Sequence, residues 1–173
     1  KDIADVVRVV SYCLDSDVPV VARGAGSGLA GESLGSGVVI DTSKYMNRIL
    51  GVEGQGDVVV CEPGAVLDDV NRYLFRYGRK IGPDPSSGNR AVMGGIVANN
   101  ATGAHSLEYG YIADHVERVE MVMYDGTVVE LENGCDPSSV YGQVGEIAAG
   151  VVSLLFGNED VIEKAMPSTK RNR

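Results

Sequence analysis

The chain has 173 residues, 44% of them apolar, with 23 glycines and a formal net charge of −9. That length allows one ordinary domain or two small lobes. The apolar share excludes a disordered chain, and the acidic balance excludes a nucleic-acid footprint, which needs a basic face.

The first predicted element is an amphipathic helix over residues 2–15, where Ile3, Val6, Val7, Val10 and Leu14 recur at helical spacing. Val18 to Ala22 is a short apolar run containing Pro19, which reads as a buried or edge strand. It leads straight into a glycine-rich loop, Ala22-Arg23-Gly24-Ala25-Gly26-Ser27-Gly28-Leu29-Ala30-Gly31. Val38 to Asp41 is the next strand. Arg48 to Val52 and Asp57 to Glu62 read as two strands around the turn Glu53-Gly54-Gln55-Gly56, and Pro63-Gly64 ends the run. Val66, Val70, Tyr73, Leu74 and Tyr77 then form a helical stripe, with Gly78 where a helix stops. A second glycine-rich segment follows, GPDPSSGNRAVMGGIVANNATGAH from Gly82 to His105, with a short helix expected over 94–101. Val116 to Tyr124 and Thr127 to Glu132 flank Asp125-Gly126, a dipeptide that favours the tight turn of a hairpin. Val140 to Phe156 reads as a helix weakened by Gly142, Gly145 and Gly150. Glu159 to Ala165 is a final helix before Pro167.

Cys13, Cys61 and Cys135 have neither metal nor redox spacing. Three idle thiols point to a reducing compartment, so a cytoplasmic location is expected. No apolar run approaches the ~20 residues of a membrane span, and no signal peptide is visible. Lys164, Lys170, Arg171 and Arg173 read as a solvated basic end. A helix that begins at once, and a stop without a closing element, make a fragment of a longer protein the expectation.

In the first loop, Gly26, Gly28 and Gly31 match the dinucleotide fingerprint GxGxxG formally. The physical context fails, because that fingerprint must open a helix whose N-terminus carries the pyrophosphate. Here Gly35 and Gly37 make a helix costly, and Val38 begins the next strand. No Gly-Lys-Ser/Thr occurs, which excludes a Walker loop. What remains is a strand–loop–strand nest. The N–H groups of Gly24 to Gly28 can converge on phosphate oxygens, and Arg23 can neutralise charge or brace the loop. A glycine-rich turn with a structural arginine fits the same residues.

The second loop adds a stiff polar stretch, Pro83-Asp84-Pro85-Ser86-Ser87-Gly88. Gly94-Gly95 at the head of a short apolar helix is a ready anion site. Asn99, Asn100, Thr102 and Gly103 close that helix with residues an ordinary helix end does not need. The alternative is an Ω-type loop packed by its own side chains. Two such loops together suggest one large anionic ligand held from two sides.

The stretches VPVVARGAGSGLAG, VVVCEPGAVLDDVNRYL, IGPDPSSGNRAVMGGIVANNATGAHSLEYG and VERVEMVMYDGTVVEL span residues 18 to 132 nearly without a break. In this order they resemble the FAD-binding domain shared by the vanillyl-alcohol oxidase and para-cresol methylhydroxylase (PCMH) flavoproteins. The sequence is most similar to the branch holding glycolate oxidase flavin subunits, D-lactate dehydrogenases and D-2-hydroxyglutarate dehydrogenases. The resemblance implies an α+β fold, PCMH-type, of two α/β lobes with FAD between them. The first lobe would be about residues 1–62 and the second about 63–173, incomplete at its C-terminal end. By that likeness Arg23, Gly24, Ala25, Gly26, Ser27 and Gly28 hold the pyrophosphate. Pro83, Asp84, Ser86, Gly94, Gly95 and Asn99 line the dinucleotide. Gly103, Ser106, Tyr109 and Gly110 run toward the flavin.

Some relatives attach flavin to a histidine four residues after the loop arginine, where this chain has Ser27. Others use a cysteine near the second loop, and none lies between Cys61 and Cys135. Non-covalent FAD is therefore expected. The family's later Gly-Ser-Glu-Gly segment and substrate cap are missing, and Gly157-Asn158-Glu159-Asp160 is no substitute. An iron–sulfur cluster would need cysteines beyond these residues. His105 reads as a histidine packed against the loop, because a metal or acid–base role needs a partner that the sequence does not identify. His115 reads as a surface or strand-start residue. Asp68 and Asp69 read as solvated helix acids.

The expectation is thus the FAD-binding part of an enzyme oxidising a 2-hydroxy acid such as glycolate or D-lactate by hydride transfer to FAD. The fragment alone is expected to be inactive. The substrate would be a small molecule, the electron acceptor is not read, and no catalytic or metal-binding residue is assigned. A non-catalytic flavin- or nucleotide-binding module and a non-binding structural lobe are the alternatives.

Overall fold

The computed structural model describes residues 1–136 and 142–167. It divides into two compact units, Lys1–Leu131 and Glu132–Arg173. The first unit begins with helix α1 (Ile3–Asp15), started by Asp2, whose carboxylate accepts the Asp5 N–H at 2.9 Å. This satisfies an amide that the first helical turn leaves without an internal partner. Its inward residue is Cys13, 1% exposed, whereas Leu14, expected on the buried stripe, is 51% exposed.

Strands β1 (Val20–Arg23) and β2 (Val38–Asp41) pair in parallel, with Val20 opposite Val38 and Arg23 opposite Asp41. Parallel neighbours need a long crossover, usually helical. Here the crossover is the first glycine loop, and it contains no helix. Gly37 closes it at φ +127°, where a Cβ would lie 2.2 Å from the Pro19 carbonyl oxygen. Only glycine combines that dihedral with that approach.

Strands β3 (Ile49–Glu53) and β4 (Val58–Cys61) are antiparallel, joined through a 3-10 turn at Gly54–Gly56. Helix α2 (Leu67–Leu74) turns Leu67, Val70 and Leu74 inward and runs into a 3-10 turn ending at Gly78, φ +66°. Asp68 and Asp69 are exposed. The short helices α3 (Met93–Ala98) and α4 (Ser106–Tyr109) follow. Strands β5 (Arg118–Val122) and β6 (Val128–Glu132) form a third two-stranded sheet. Its turn is looser than a two-residue Asp-Gly turn. The Gly126 N–H bonds to Met123 O, the Met123 N–H to Thr127 O, and Gly126 sits at φ +86°. That is the three-residue loop with a left-handed glycine.

The core gathers Ala65, Leu67, Val70, Leu74, Ala91, Met93, Ile96 and Ile112. It is centred on α2, α3 and the segments that precede them. Burying side chains of the size of Leu67 and Val70, at 1% and 0% exposure, contributes about 1.5–3 kcal/mol each. The core therefore sits directly beneath the second glycine loop.

The second unit contains α5 (Gly142–Gly157) and α6 (Glu159–Ala165). They are separated by Asn158, whose Nδ2 donates to Leu154 O at 2.8 Å. Residues 140 and 141 of the expected helix, and Lys170, Arg171 and Arg173 of the expected basic end, lie outside the described residues. Among the described residues no helix is long and apolar enough to cross a membrane.

Candidate functional site

Both glycine loops belong to the first unit, and they meet. A Cβ on Gly24 would lie 2.2 Å from Val92 Cγ2. Val92 is the residue that opens α3, two positions before Gly94. The Pro63-Gly64-Ala65 segment supports this junction. Gly64 N–H donates to Met46 O at 2.7 Å, Met93 N–H to Ala65 O at 2.9 Å and Gly94 N–H to Pro63 O at 2.8 Å. The turn that follows β2 and the start of α3 are thus fastened to one strip of backbone, and the first loop meets Val92 beside it.

In the first loop Ala25, Gly26, Ser27, Gly28, Leu29 and Ala30 are exposed, and Gly26 is left-handed at φ +65°. Among the described residues no acceptor takes the N–H groups of Gly24 to Ala30. A left-handed residue inside such a run turns successive amides toward one side, the geometry of an anion nest. Arg23 lies at its root, with an Nη2 nitrogen 3.2 Å from Asp41 Oδ2 and a side chain 40% exposed. The ion pair ties the end of β1 to the end of β2, so Arg23 braces the loop whatever else it binds. Asp41 also accepts the Ser43 hydroxyl at 2.6 Å and the Ser43 N–H at 2.9 Å. The Ser43 hydroxyl first, then its amide and the Arg23 guanidinium, hold the Asp41 carboxyl below the usual range.

The second loop is more tightly built than the sequence implies. Pro83 is fully buried, Asp84 half-buried and Ser86 exposed. Gly94 packs against Pro63, where a Cβ would approach Pro63 Cβ to 2.7 Å, and its amide is already used. Of the amide pair expected at the head of α3, Gly95 alone lacks a backbone acceptor among the described residues, with only Val92 Cγ2 at 3.8 Å near its Cβ position. The Asn-Asn run has a structural reason. Asn99 Nδ2 bonds back to Gly95 O, Asn100 is left-handed at φ +44°, and the N–H groups of Asn100 and Ala101 return to Val97 O and Ile96 O. This is a Schellman stop with asparagine in the glycine place.

Beyond it the chain folds back on its own beginning. Gly103 lies so close to Asp84 that a Cβ would be 2.1 Å from the Asp84 carbonyl oxygen. The Tyr109 ring lies against Gly82, whose Cβ would come within 2.8 Å of it. Ser106 is half-buried at the start of α4, and Gly110 ends it at φ +69°, its carbonyl accepting the Thr102 hydroxyl at 2.7 Å. His115 is exposed in a 3-10 turn and donates Nε2–H to Tyr109 O at 2.7 Å.

His105 has the partner that the sequence could not name. Asp84 Oδ1 accepts its N–H at 3.1 Å and Asp84 Oδ2 meets its ring Nδ1 at 2.5 Å. These bonds, with the ring contact first, hold the Asp84 carboxyl below its ordinary value. A charged carboxylate only accepts, so Nδ1 carries the proton.

The first loop and Gly95 thus share a surface at Val92, and the 103–110 turn rests on the 82–84 segment of the same unit. A separate apolar cavity of about 180 Å³ lies between α1 and β2, lined by Val6, Val9, Val38, Ile40, Tyr45 and Met46 among others. No residue of either glycine loop lines it. Among the described residues no group of three or more His, Cys, Asp or Glu side chains is placed to hold a metal.

Comparison with known proteins bears on what the surface is for. Residues 1–132 match the model of a family described as an FAD binding domain. The chain is 36% identical over 129 residues to a D-2-hydroxyglutarate dehydrogenase of Pantoea ananatis, covering 75% of this chain and 13% of that protein. It is 33% identical over 174 residues to a mitochondrial D-lactate dehydrogenase [cytochrome] of Kluyveromyces lactis, covering 98% of this chain and 30% of that protein. The chain thus spans well under half the length of these relatives. Among solved structures, an alkyldihydroxyacetonephosphate synthase superposes with a TM-score of 0.65 at 26% identity, over 76% of this chain and 27% of that one. The 6-hydroxy-D-nicotine oxidase of Arthrobacter nicotinovorans gives 0.67 at 20% identity, over 76% and 28%, a likeness of fold alone.

Proposed function

The chain belongs to the FAD-binding domain family, and from that we propose that it holds the FAD of a dehydrogenase acting on a small 2-hydroxy acid. The observation that carries the reading is the run of unengaged amides from Gly24 to Ala30, seated against the residue that opens α3. A diphosphate needs several N–H donors, and this loop offers a run of them with no hydrogen-bond partner, the Glu32 carboxylate lying against Gly28.

The residues fit such a group. The first lobe, about residues 1–62, contributes the cradle from Gly24 to Gly28, with Arg23 bracing it through Asp41. The second, about residues 63–173, contributes the Gly95 amide, Ser86, Asn99 and the turn from Gly103 through Ser106 and Tyr109 to Gly110. Pro83, Asp84 and Gly94 serve the site by shaping it, because they are buried or engaged. Bound FAD supplies the two-electron acceptor for hydride from the carbon bearing the hydroxyl. The protein's share is to grip the cofactor, orient it and keep the loops from closing on each other.

Attachment is non-covalent in this reading. Ser27 stands where a linking histidine is found in some flavoproteins of this type, and no cysteine lies near the second loop. Three free thiols support a reducing, cytoplasmic setting. The 2-hydroxy acid substrate is supported by the dehydrogenases named above, and it enters here as part of the proposal.

The test is a titration of the full protein with FAD, followed by assay with D-2-hydroxy acids and an artificial dye acceptor. The reading expects a bound-flavin spectrum and dye reduction that depends on the D-hydroxy acid. A folded full protein that stays colourless with excess FAD would refute the cofactor assignment. A yellow protein that reduces no dye with any 2-hydroxy acid would refute the enzyme assignment alone.

A further inference from the structure

We propose that Asp84 and His105 are a positioning pair, a clasp that closes the 103–110 turn onto the 82–84 segment and so sets the flavin side of the cofactor site. This rests on the FAD reading above and assigns these residues a role within it. The two residues are far apart in sequence, yet one carboxylate takes both the backbone N–H and the ring Nδ1–H of the same histidine. A carboxylate that receives two donors from one residue fixes both that residue's backbone and its side chain. It is a directional, charge-assisted arrangement rather than a chance surface contact.

The clasp has a fixed seat. Gly103 rests on the Asp84 main chain, and the Tyr109 ring rests on Gly82. These packing contacts bring the segments together but do not orient the exposed tip of the turn. The Thr102 and His115 bonds hold the far end of the turn at Gly110 and Tyr109, and the Asp84–His105 pair ties the turn to the 82–84 segment; it is reached by solvent, with side chains 37% and 59% exposed. Asp84 therefore acts through His105 and the turn, not by touching the cofactor.

The experiment uses the full protein with Asp84→Ala, His105→Ala, the double variant and His105→Asn, whose side-chain amide can offer an N–H close to the Nδ1 position. The first arm follows hydrogen exchange of residues 103–110 without FAD. Loss of the carboxylate is expected to speed exchange of the His105 amide by about tenfold or more. The second arm measures the FAD dissociation constant and the visible circular dichroism of the bound flavin. Each alanine variant is expected to weaken FAD by about tenfold and to alter that dichroism. The double variant should do no worse than either single one, and His105→Asn should recover part of the loss. Unchanged exchange in Asp84→Ala would overturn the clasp. Unchanged FAD affinity and dichroism in both alanine variants, or additive losses in the double variant, would overturn its role at the cofactor. A wild-type protein that binds no FAD would remove that role together with the function reading, while the exchange arm still decides whether the clasp exists.

Discussion

Replacing Gly24 by alanine tests the junction on which the site depends. The new methyl carbon would lie 2.2 Å from Val92 Cγ2. Carbon atoms settle at about 3.5–4.0 Å, so the loop and the start of α3 must separate by roughly 1.3–1.8 Å. Val92 is 3% exposed and its neighbour Met93 belongs to the core, so Val92 has little room to retreat. Overpacking of this kind costs about 1–3 kcal/mol. If that falls on the bound arrangement, FAD affinity drops by about 5- to 150-fold. The assay is fluorescence-quench titration with FAD, paired with a thermal melt of the apoprotein. Val92→Ala removes the atom in conflict, so the double variant should bind FAD more tightly than Gly24→Ala alone. Wild-type affinity in Gly24→Ala, or no recovery in the double variant, would refute the claim that the two loops are placed by mutual contact.

Gly103→Ala would set a Cβ 2.1 Å from the Asp84 carbonyl oxygen, a backbone atom that cannot swing aside. The expected outcome is a loss of about 1–3 kcal/mol in denaturant unfolding together with weaker FAD binding. Acid or denaturant precipitation of the holoprotein should leave all the flavin in the supernatant, because Ser27 forms no flavin bond; yellow pellet protein would contradict this. The carboxyls of Asp41 and Asp84 are held low by Ser43 and His105 respectively. The folded state therefore binds fewer protons than the unfolded state, and their stabilisation is fully present above the unfolded value of about 3.9. It should fade as pH falls below about 4, through the folded values. Asp41→Asn and Asp84→Asn should flatten that acid limb in melts between pH 6 and 3, and equal slopes in all three proteins would contradict the assignment.

Much of the fold was legible because its signals are local. The periodicity of residues 3–14, the strand Val38–Asp41, the helix from Leu67 ending at Gly78 and the turn at Gly126 are each encoded within a few neighbouring residues. The absence of a helix in the first loop was legible too, from Gly35 and Gly37. Leu14 was misplaced since its spacing fits the stripe as well as that of Cys13, and only the packing of α1 decides between them. The roles inside the second loop were not legible. Gly94 reads as a phosphate amide until Pro63 is seen to take its N–H, and Asn100 reads as a residue that an ordinary helix end does not need until its left-handed φ reveals a helix stop. Asp84 and His105 lie in different parts of the loop, and no spacing rule links them. Contacts of that kind arise from the way glycines at 82 and 103 let backbone and side chain approach, which no single position announces.

Hydrogen exchange of the full protein with and without FAD measures the central relationship directly. The account predicts that FAD slows exchange simultaneously in residues 24–30 and in residues 95 and 103–110. Protection confined to one of these loops, or absent from both while FAD is bound, would contradict it.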